Sequence, residues 1–265
     1  MAAVASIGTD SVPAGKLPAS ARAWALYEGV RTPYVLLIKV YIFIPYLATI
    51  LVGDPVRGQS LVAKLGMSYG LLAALTAPLL GVAMDRIGPR KPLLATLTAV
   101  LVACCASLWW ATPDGLGLAA TCAIIFVAGL MFAYTEVLHN SLLPFAAPSA
   151  QTSATSGTGL ALGSAISVLL LIFILWGFAL PANMAASWLP AAPLFGLSAA
   201  EHEPERIVGP IVALIFACGA LPLFIIGRDA PRGIGGGIGD SFRQLKATIR
   251  TLPSNRPMGI FLLSR

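Results

Sequence analysis

The chain has 265 residues, of which 57% are apolar and only 11% are charged, and its mean hydropathy is +0.85. A soluble domain carries about 25% charged residues, so this composition excludes an ordinary soluble protein and makes a lipid bilayer the expected surrounding. The apolar residues form solid runs rather than alternating with polar ones, which predicts an all-α polytopic membrane protein and not a β-barrel. The formal charge of +6 does not indicate nucleic-acid binding, because the cations are confined to particular loops.

The N-terminal residues come before the first long apolar run. Residues 1–22 are rich in Ala, Gly, Ser and Pro and contain no apolar signal-peptide core, so they predict a disordered tail. Residues 23–29 then predict a short interfacial segment, with Trp24 and Tyr27 at the depth of the lipid headgroups.

Six apolar runs follow, within a predicted bundle that covers residues 23–227. Each has about 20 residues or more, enough for a helix to cross a hydrocarbon core about 30 Å thick. The six predicted spans are residues 32–51, 62–84, 92–111, 116–138, 157–180 and 207–227.

Small residues recur at helical spacing in two of these spans, which lets another helix approach closely. In the second span they are Gly66, Gly70, Ala74, Ala77 and Gly81, and in the fifth they are Gly159, Gly163 and Ser167. The cysteines lie inside apolar runs without disulfide or metal-ligand spacing, so they predict packing residues and neither a metal site nor a cofactor. They are Cys104, Cys105, Cys122 and Cys218.

The positions of the basic residues predict the orientation. Of the 17 Lys and Arg residues, 13 lie in the terminal segments or between spans two and three, three (Arg57, Lys64 and Arg206) lie towards the opposite side, and Lys39 lies within a span. This bias predicts that both termini are cytoplasmic, and we expect the membrane to be a bacterial inner membrane.

After span six, residues 228–257 predict a cytoplasmic loop that contains a helix at 240–252. One face of that helix is apolar and the rest is basic, which favours an amphipathic helix on the inner leaflet over a plain soluble linker helix. Residues 258–265 begin a new apolar run, interpreted as the start of a truncated seventh span.

A short charged loop connects spans two and three. It resembles the signature loop of the major facilitator superfamily, with Pro89 as a departure at a position where Arg often occurs. The matching positions are Gly81, Asp85, Arg86, Gly88, Arg90 and Lys91. The resemblance implies a gating role, in which the Asp85 carboxylate pairs with an arginine or caps another helix and releases it during alternating access. The other interpretation is that this cluster only fixes the topology.

Two further segments indicate a branch of that superfamily. Trp24-Ala-Leu-Tyr27-Glu28 and Asn140-Ser-Leu-Leu-Pro144 are similar to the vacuolar amino-acid effluxer-like branch. Members have about twelve spans in two six-helix halves, each a 3+3 inverted repeat. The resemblance therefore implies that this chain corresponds to the N-terminal half.

Ionisable groups inside spans are energetically costly and mark candidate substrate or proton sites. Lys39 is a candidate for binding an anionic group, or else reaches towards an interface. Glu136 is a candidate for carrying a proton or binding an amine, or else pairs with a loop cation or Lys39. Asn140 shares a helical face with Glu136, and His139 lies beside them.

These observations predict a secondary transporter that moves a small solute, in one interpretation an amino acid, across the lipid bilayer. The alternatives are a non-transporting membrane subunit or assembly factor built from a six-helix half, and a partial product that is inactive alone. The expected partners are a missing second half or a second copy. The sequence contains none of the common hydrolase or nucleotide-binding motifs, so an enzyme is not expected.

Overall fold

The computed structural model describes residues 16–184 and 186–231, and the side chains at 78, 82, 83 and 85–87 are not described. Every regular element in these residues is a helix. The predictions for residues 1–15, for the amphipathic helix at 240–252 and for the apolar run at 258–265 lie outside the described residues.

Six long helices make up the described chain. They are α1 (Ala19–Leu51), α2 (Pro55–Ile87), α3 (Lys91–Trp110), α4 (Gly117–Ala146), α5 (Ser149–Asn183) and α6 (Glu203–Ile226). Each is long and apolar enough to cross a membrane, in α2 over the stretch Pro55–Ala77. For the described residues, the predictions of an all-helical fold and of six helices that are long and apolar enough to span a membrane are therefore confirmed.

The start of α1 corrects the sequence prediction. The helix begins at Ala19 and runs through the residues that were predicted to be a tail and an interfacial segment. Trp24 and Tyr27 are 2% and 0% exposed, so their rings pack inside the bundle. Pro33 has helical dihedral angles, and the chain continues as a π-helix over Tyr34–Tyr41.

Other helices also extend beyond their apolar runs. Helix α2 starts at Pro55, because the carboxylate of Asp54 accepts hydrogen bonds from the backbone of Val56 at 2.9 Å and Arg57 at 3.0 Å. Helix α4 continues to Ala146, so the first half of the loop predicted at 139–155 is helical. Hydropathy identifies only the apolar part of a helix, so the polar turns at the helix ends were not predicted.

Helix α1 lies at the centre of the bundle. It packs against α5 and α6 and touches α4. Helix α3 packs against α6 and α4, and α2 packs mainly against α4. Helices α2 and α5 therefore lie at opposite edges, and α1 and α4 meet between them.

The two stripes of small residues behave differently. A Cβ atom added at Gly163 of α5 would lie 2.5 Å from Thr32 Oγ1, and one at Gly159 would lie 3.2 Å from Glu28 Cβ. The fifth-span stripe therefore lets α5 approach α1 closely, as predicted. On α2, a Cβ atom at Gly70 would meet nothing within 4 Å, so this stripe has no helix against it in the described residues.

Candidate functional site

The main candidate site lies where α1 and α4 meet, well inside both helices. Arg31 is 12 residues into α1, about 18 Å along the helix axis. Its Nη2 atom donates to both carboxylate oxygens of Glu28 at 2.9 Å, and its Nη1 atom lies 3.5 Å from Glu136 Oε2 on α4. The Arg31 side chain is 5% exposed, whereas the Glu136 side chain is 50% exposed. One buried guanidinium is thus shared between an inner and an outer carboxylate.

His139 is held on the inner side of this cluster and is fully buried. Its Nε2 atom is 3.0 Å from the backbone oxygen of Trp24, and the indole Nε1 of Trp24 donates to the backbone oxygen of His139 at 2.8 Å. The imidazole stacks on the rings of Trp24 and Tyr27, at centroid distances of 4.1 and 4.6 Å. These contacts fix the ring in position and orientation.

At the buried end of the cluster, Glu28 lies next to His139. The Nδ1 atom of His139 lies 3.3 Å from Glu28 Oε2. Tyr27 supports this arrangement from the other side, since its hydroxyl is 2.7 Å from Thr98 Oγ1 on α3. Glu28 therefore faces two nitrogen groups, the Arg31 guanidinium and the His139 imidazole.

Aromatic rings separate this cluster from a second cation. Phe132 of α4 lies 4.5 Å from the Arg31 guanidinium and 6.0 Å from Lys39 Nζ, which is also 5.3 Å from the ring of Tyr69. Each such contact stabilises a cation by about 0.5–2 kcal/mol. Within the described chain, Lys39 makes no hydrogen bond or ion pair, so its charge has only aromatic neighbours there.

The predicted polar residues of α4 point in two directions. Glu136 and Asn140 are both exposed and lie one turn apart on the same face. Asn140 has no hydrogen-bond partner among residues 16–184 and 186–231. His139 faces the opposite way, into the bundle. The structure thus brings Glu136 and His139 into one cluster through Glu28 and Arg31, and leaves Asn140 at its edge.

The charged loop between α2 and α3 forms a second polar region. Gly88 ends α2 with φ +81°, a conformation that favours glycine, and its N–H donates to Met84 at 3.0 Å. Asp85 and Arg86 lie in the last turn of α2, and their side chains are not described. Gly81 has nothing within 4 Å of an added Cβ atom, so it makes no close helix contact in the described part of the chain.

Asp229 binds the end of this loop that leads into α3. Its carboxylate accepts from the backbone N–H groups of Arg90 at 2.7 Å and of Lys91 at 3.2 Å, at the N-terminus of α3. The Lys91 ammonium donates to Gly227 at 2.8 Å and the Arg90 guanidinium donates to Ser141 at 2.6 Å. The loop therefore ties the start of α3 to the ends of α4 and α6.

A third polar region surrounds Arg206 at the other end of the bundle. Arg206 is 5% exposed and donates to the backbone oxygens of Trp109 at 2.7 Å and Glu201 at 3.1 Å. Tyr46 donates to the backbone oxygen of Ala111 at 2.7 Å. A cavity of about 480 Å³ is bordered by Tyr46, Glu201 and Arg206. The sequence placed Arg206 among the loop cations, and the structure buries it.

Three residues of these regions were missed from the sequence. Glu28 lies in the segment that was interpreted as interfacial, and Arg31 was counted only among the cations that precede the first span, although opposite charges three residues apart were a signal for an ion pair. Asp229 immediately follows the sixth apolar run, and only its contact with α3 shows its capping role. Among the described residues, no group of three His, Cys, Asp or Glu side chains is arranged to hold a metal ion.

Comparisons of the chain with protein-family models, with curated proteins and with solved structures found no match. The function is therefore argued from the position and chemistry of the side chains themselves. The cluster on α1 and α4 carries most of that argument, because it places ionisable groups deep within two spanning helices.

Proposed function

We propose that this protein is a secondary transporter of the major facilitator type that moves a small zwitterionic solute, such as an amino acid, by alternating access. The observation that carries the proposal is the charged cluster of α1 and α4. Arg31 and Glu28 are largely buried and Glu136 is half-exposed, so the cluster opens to one side of the bundle. Charges at this depth are costly and are retained where they serve transport.

The pattern of helix contacts supports a 3+3 repeat. In such a repeat, α1 corresponds to α4, α2 to α5 and α3 to α6. The contact of α1 with α5 then has its counterpart in the contact of α4 with α2, and both are present. In the same way, the contact of α1 with α6 becomes that of α4 with α3, and the contacts of α1 with α4 and α3 with α6 map onto themselves. Inverted repeats of this kind place the solute where the repeats meet, which here is between α1 and α4.

The open face has the chemistry for a zwitterion. Lys39 is a cation with only aromatic neighbours in the described structure and suits a carboxylate. Glu136 has a half-exposed carboxylate that suits an ammonium group. Phe132 contacts both Arg31 and Lys39, so an apolar surface lies between the two polar contacts. A zwitterion such as an amino acid carries the two charges that complement Lys39 and Glu136.

Alternating access also needs a second surface opposite this face and a contact that opens and closes. We propose that a second six-helix unit, either another half or a second copy, covers the face of α1 and α4. The loop that contains Asp85 and Arg86 serves as the latch, with Asp229 holding its α3 end. In this proposal both termini are cytoplasmic and the membrane is a bacterial inner membrane.

The test is uptake of radiolabelled amino acids by liposomes that contain the purified chain. Wild type takes up at least one amino acid above empty liposomes, and K39Q and E136Q each reduce that uptake at least tenfold. Lys64→Gln is the matched control, because Lys64 is an exposed cation on α2 outside the cluster. Equal uptake by all variants, or none by wild type, contradicts the proposal.

A non-transporting subunit is the second candidate, and the unoccupied stripe of α2 favours it. Gly70 and Gly81 have no neighbour near an added Cβ atom in the described structure, which suits a close contact with another membrane protein. This function predicts co-purification at fixed stoichiometry from native membranes, loss of that complex in Gly70→Leu, and no response to any solute.

A further inference from the structure

We propose that Glu28 and His139 form a proton-binding site, and that its proton and the ammonium group of the solute replace each other, which makes transport a proton–solute exchange. The part that concerns the solute rests on the proposed function. The part that concerns the proton rests only on the geometry of Glu28 and His139. It goes beyond the candidate residues considered above, because the exchange is assigned to an inner pair that never contacts the solute.

The first step is the hydrogen on His139 Nε2. This atom lies 3.0 Å from the backbone oxygen of Trp24, which can only accept a hydrogen bond. Nε2 must therefore carry a proton. The same Trp24 also binds the backbone of His139 through its indole, which keeps the ring from turning over.

The second step concerns the other ring nitrogen. With Nε2 protonated, the neutral imidazole has a bare lone pair on Nδ1, and this lone pair faces Glu28 Oε2 at 3.3 Å. An ionised Glu28 would direct a lone pair of its own at Nδ1, and the two lone pairs would repel each other. One further proton between the two atoms turns this repulsion into a hydrogen bond, whether it resides on Nδ1 or on the carboxylate.

The surroundings of this pair contain few other groups that titrate. On α1 they are Tyr27 and Arg31, and on α4 the nearest is Glu136. Helix α5, which packs on α1 beside Glu28, has no ionisable side chain, and from Val208 onward α6 contributes only the exposed Cys218. The nearest carboxylate outside the pair is therefore Glu136, and Arg31 couples it to Glu28.

The third step is the charge of the cluster. Without the extra proton, Glu28 and Glu136 contribute two negative charges and Arg31 one positive charge, so the cluster has a net charge of −1. Buried charge is costly unless it is balanced. A proton taken from water onto the Glu28–His139 pair balances the cluster, and so does a solute ammonium group bound at Glu136.

Arg31 connects the two ways of balancing the charge. It binds Glu28 at 2.9 Å and lies 3.5 Å from Glu136. When the proton neutralises Glu28, the guanidinium turns its charge to Glu136 and competes with the ammonium group. When the ammonium group occupies Glu136, Arg31 remains on Glu28 and the proton leaves to water. Linkage makes this effect reciprocal, so each ligand weakens the other.

The proton site is tested by nitrogen NMR on the full chain labelled with ¹⁵N-histidine. The chain has two histidines, so His202 serves as an internal reference and H139Q assigns the signals. We expect His139 Nε2 to remain protonated at every pH, and a single titration that E28Q abolishes. A neutral His139 with the proton on Nδ1 and a bare Nε2 would overturn the proposal, as would a titration unchanged in E28Q.

The exchange is tested by binding of an equimolar mixture of ¹⁴C-labelled amino acids as a function of pH. In wild type the affinity falls about tenfold for each pH unit below the titration of the pair, and in E28Q it is independent of pH. Glu205→Gln is the control, because Glu205 lies beside His202 at the other end of the bundle, and it keeps the wild-type profile. An affinity that rises on acidification overturns the exchange. A failure to bind any amino acid contradicts the proposed function, while the NMR result still decides the proton site.

Discussion

Two arginines are buried among the described residues, and their hydrogen-bond partners differ. Arg31 lies well inside its helix between two carboxylates, Glu28 and Glu136. Arg206 lies near a helix end and donates to backbone oxygens of Trp109 and Glu201, while its nearest carboxylate, that of Glu203, is 4.0 Å away and beyond hydrogen-bond distance. Backbone oxygens do not titrate, whereas carboxylates gain and lose protons. The comparison teaches that burial alone does not mark a functional charge, and that the ability of its partners to titrate does.

The largest expected effect comes from removing the mid-span cation. R31Q leaves Glu28 and Glu136 without their shared partner, and breaking a buried ion pair in this way costs about 3–5 kcal/mol. We expect the free energy of unfolding in detergent to fall accordingly, uptake to be lost, and the loss of stability to shrink on acidification as the carboxylates become neutral. A destabilisation that is equal at acid and neutral pH would remove the distinction between the two arginines.

Arg206 provides the matching variant. R206Q removes the hydrogen bonds to Trp109 and Glu201, and hydrogen bonds to a charged group contribute about 1.5–3 kcal/mol. We expect a destabilisation of that size that changes much less between neutral and acid pH than that of R31Q, because the Glu203 carboxylate is 4.0 Å from Arg206, with the pH profile of solute binding as in wild type. A shifted binding profile would mean that the Arg206 region also takes part in coupling.

A smaller effect is expected at the support of the mid-span cluster. T98V removes the partner of the Tyr27 hydroxyl, which is buried in the bundle, at a cost of about 1 kcal/mol. Because Tyr27 stacks on His139, we also expect the His139 ¹⁵N resonances to shift. Unchanged resonances would show that Tyr27 does not help to position the imidazole.

The smallest effect is expected at the equivalent tyrosine of the Arg206 region. Y46F removes the hydrogen bond to Ala111, and Tyr46 itself borders the adjacent cavity, from which water can replace the hydroxyl. We expect a loss of about 0.5 kcal/mol in unfolding free energy and no change in the His139 resonances. A loss as large as that of T98V would contradict the assumption that this end of the bundle is hydrated.

The sequence predicted the number of spanning helices because solid apolar runs are a local signal. It placed the start of α1 too late, since the apolar run begins only near residue 32 while the helix already begins at Ala19. Glu136, His139 and Asn140 were recognised as candidates because they lie within one helical turn of each other. Their link to Glu28 and Arg31 joins residues that are more than 100 positions apart, and it depends on how α1 packs on α4.

The cap on α3 was missed for the same reason. The carboxylate that caps α3 belongs to Asp229, which reaches the helix from the chain just after α6. Local spacing indicates which chemistry a segment can perform. The partners of that chemistry follow from tertiary packing, which a single sequence does not contain.

The exchange of a proton for a solute is tested most directly in liposomes that contain the full chain and a preloaded ¹⁴C-labelled amino-acid mixture. An acid pulse is applied outside, and the internal pH and the retained label are followed together. We predict that the wild type releases the label as protons enter, and that E28Q releases the label without any response to the pulse. Release that is indifferent to the pulse in wild type, or protons that leave together with the label, would contradict the exchange.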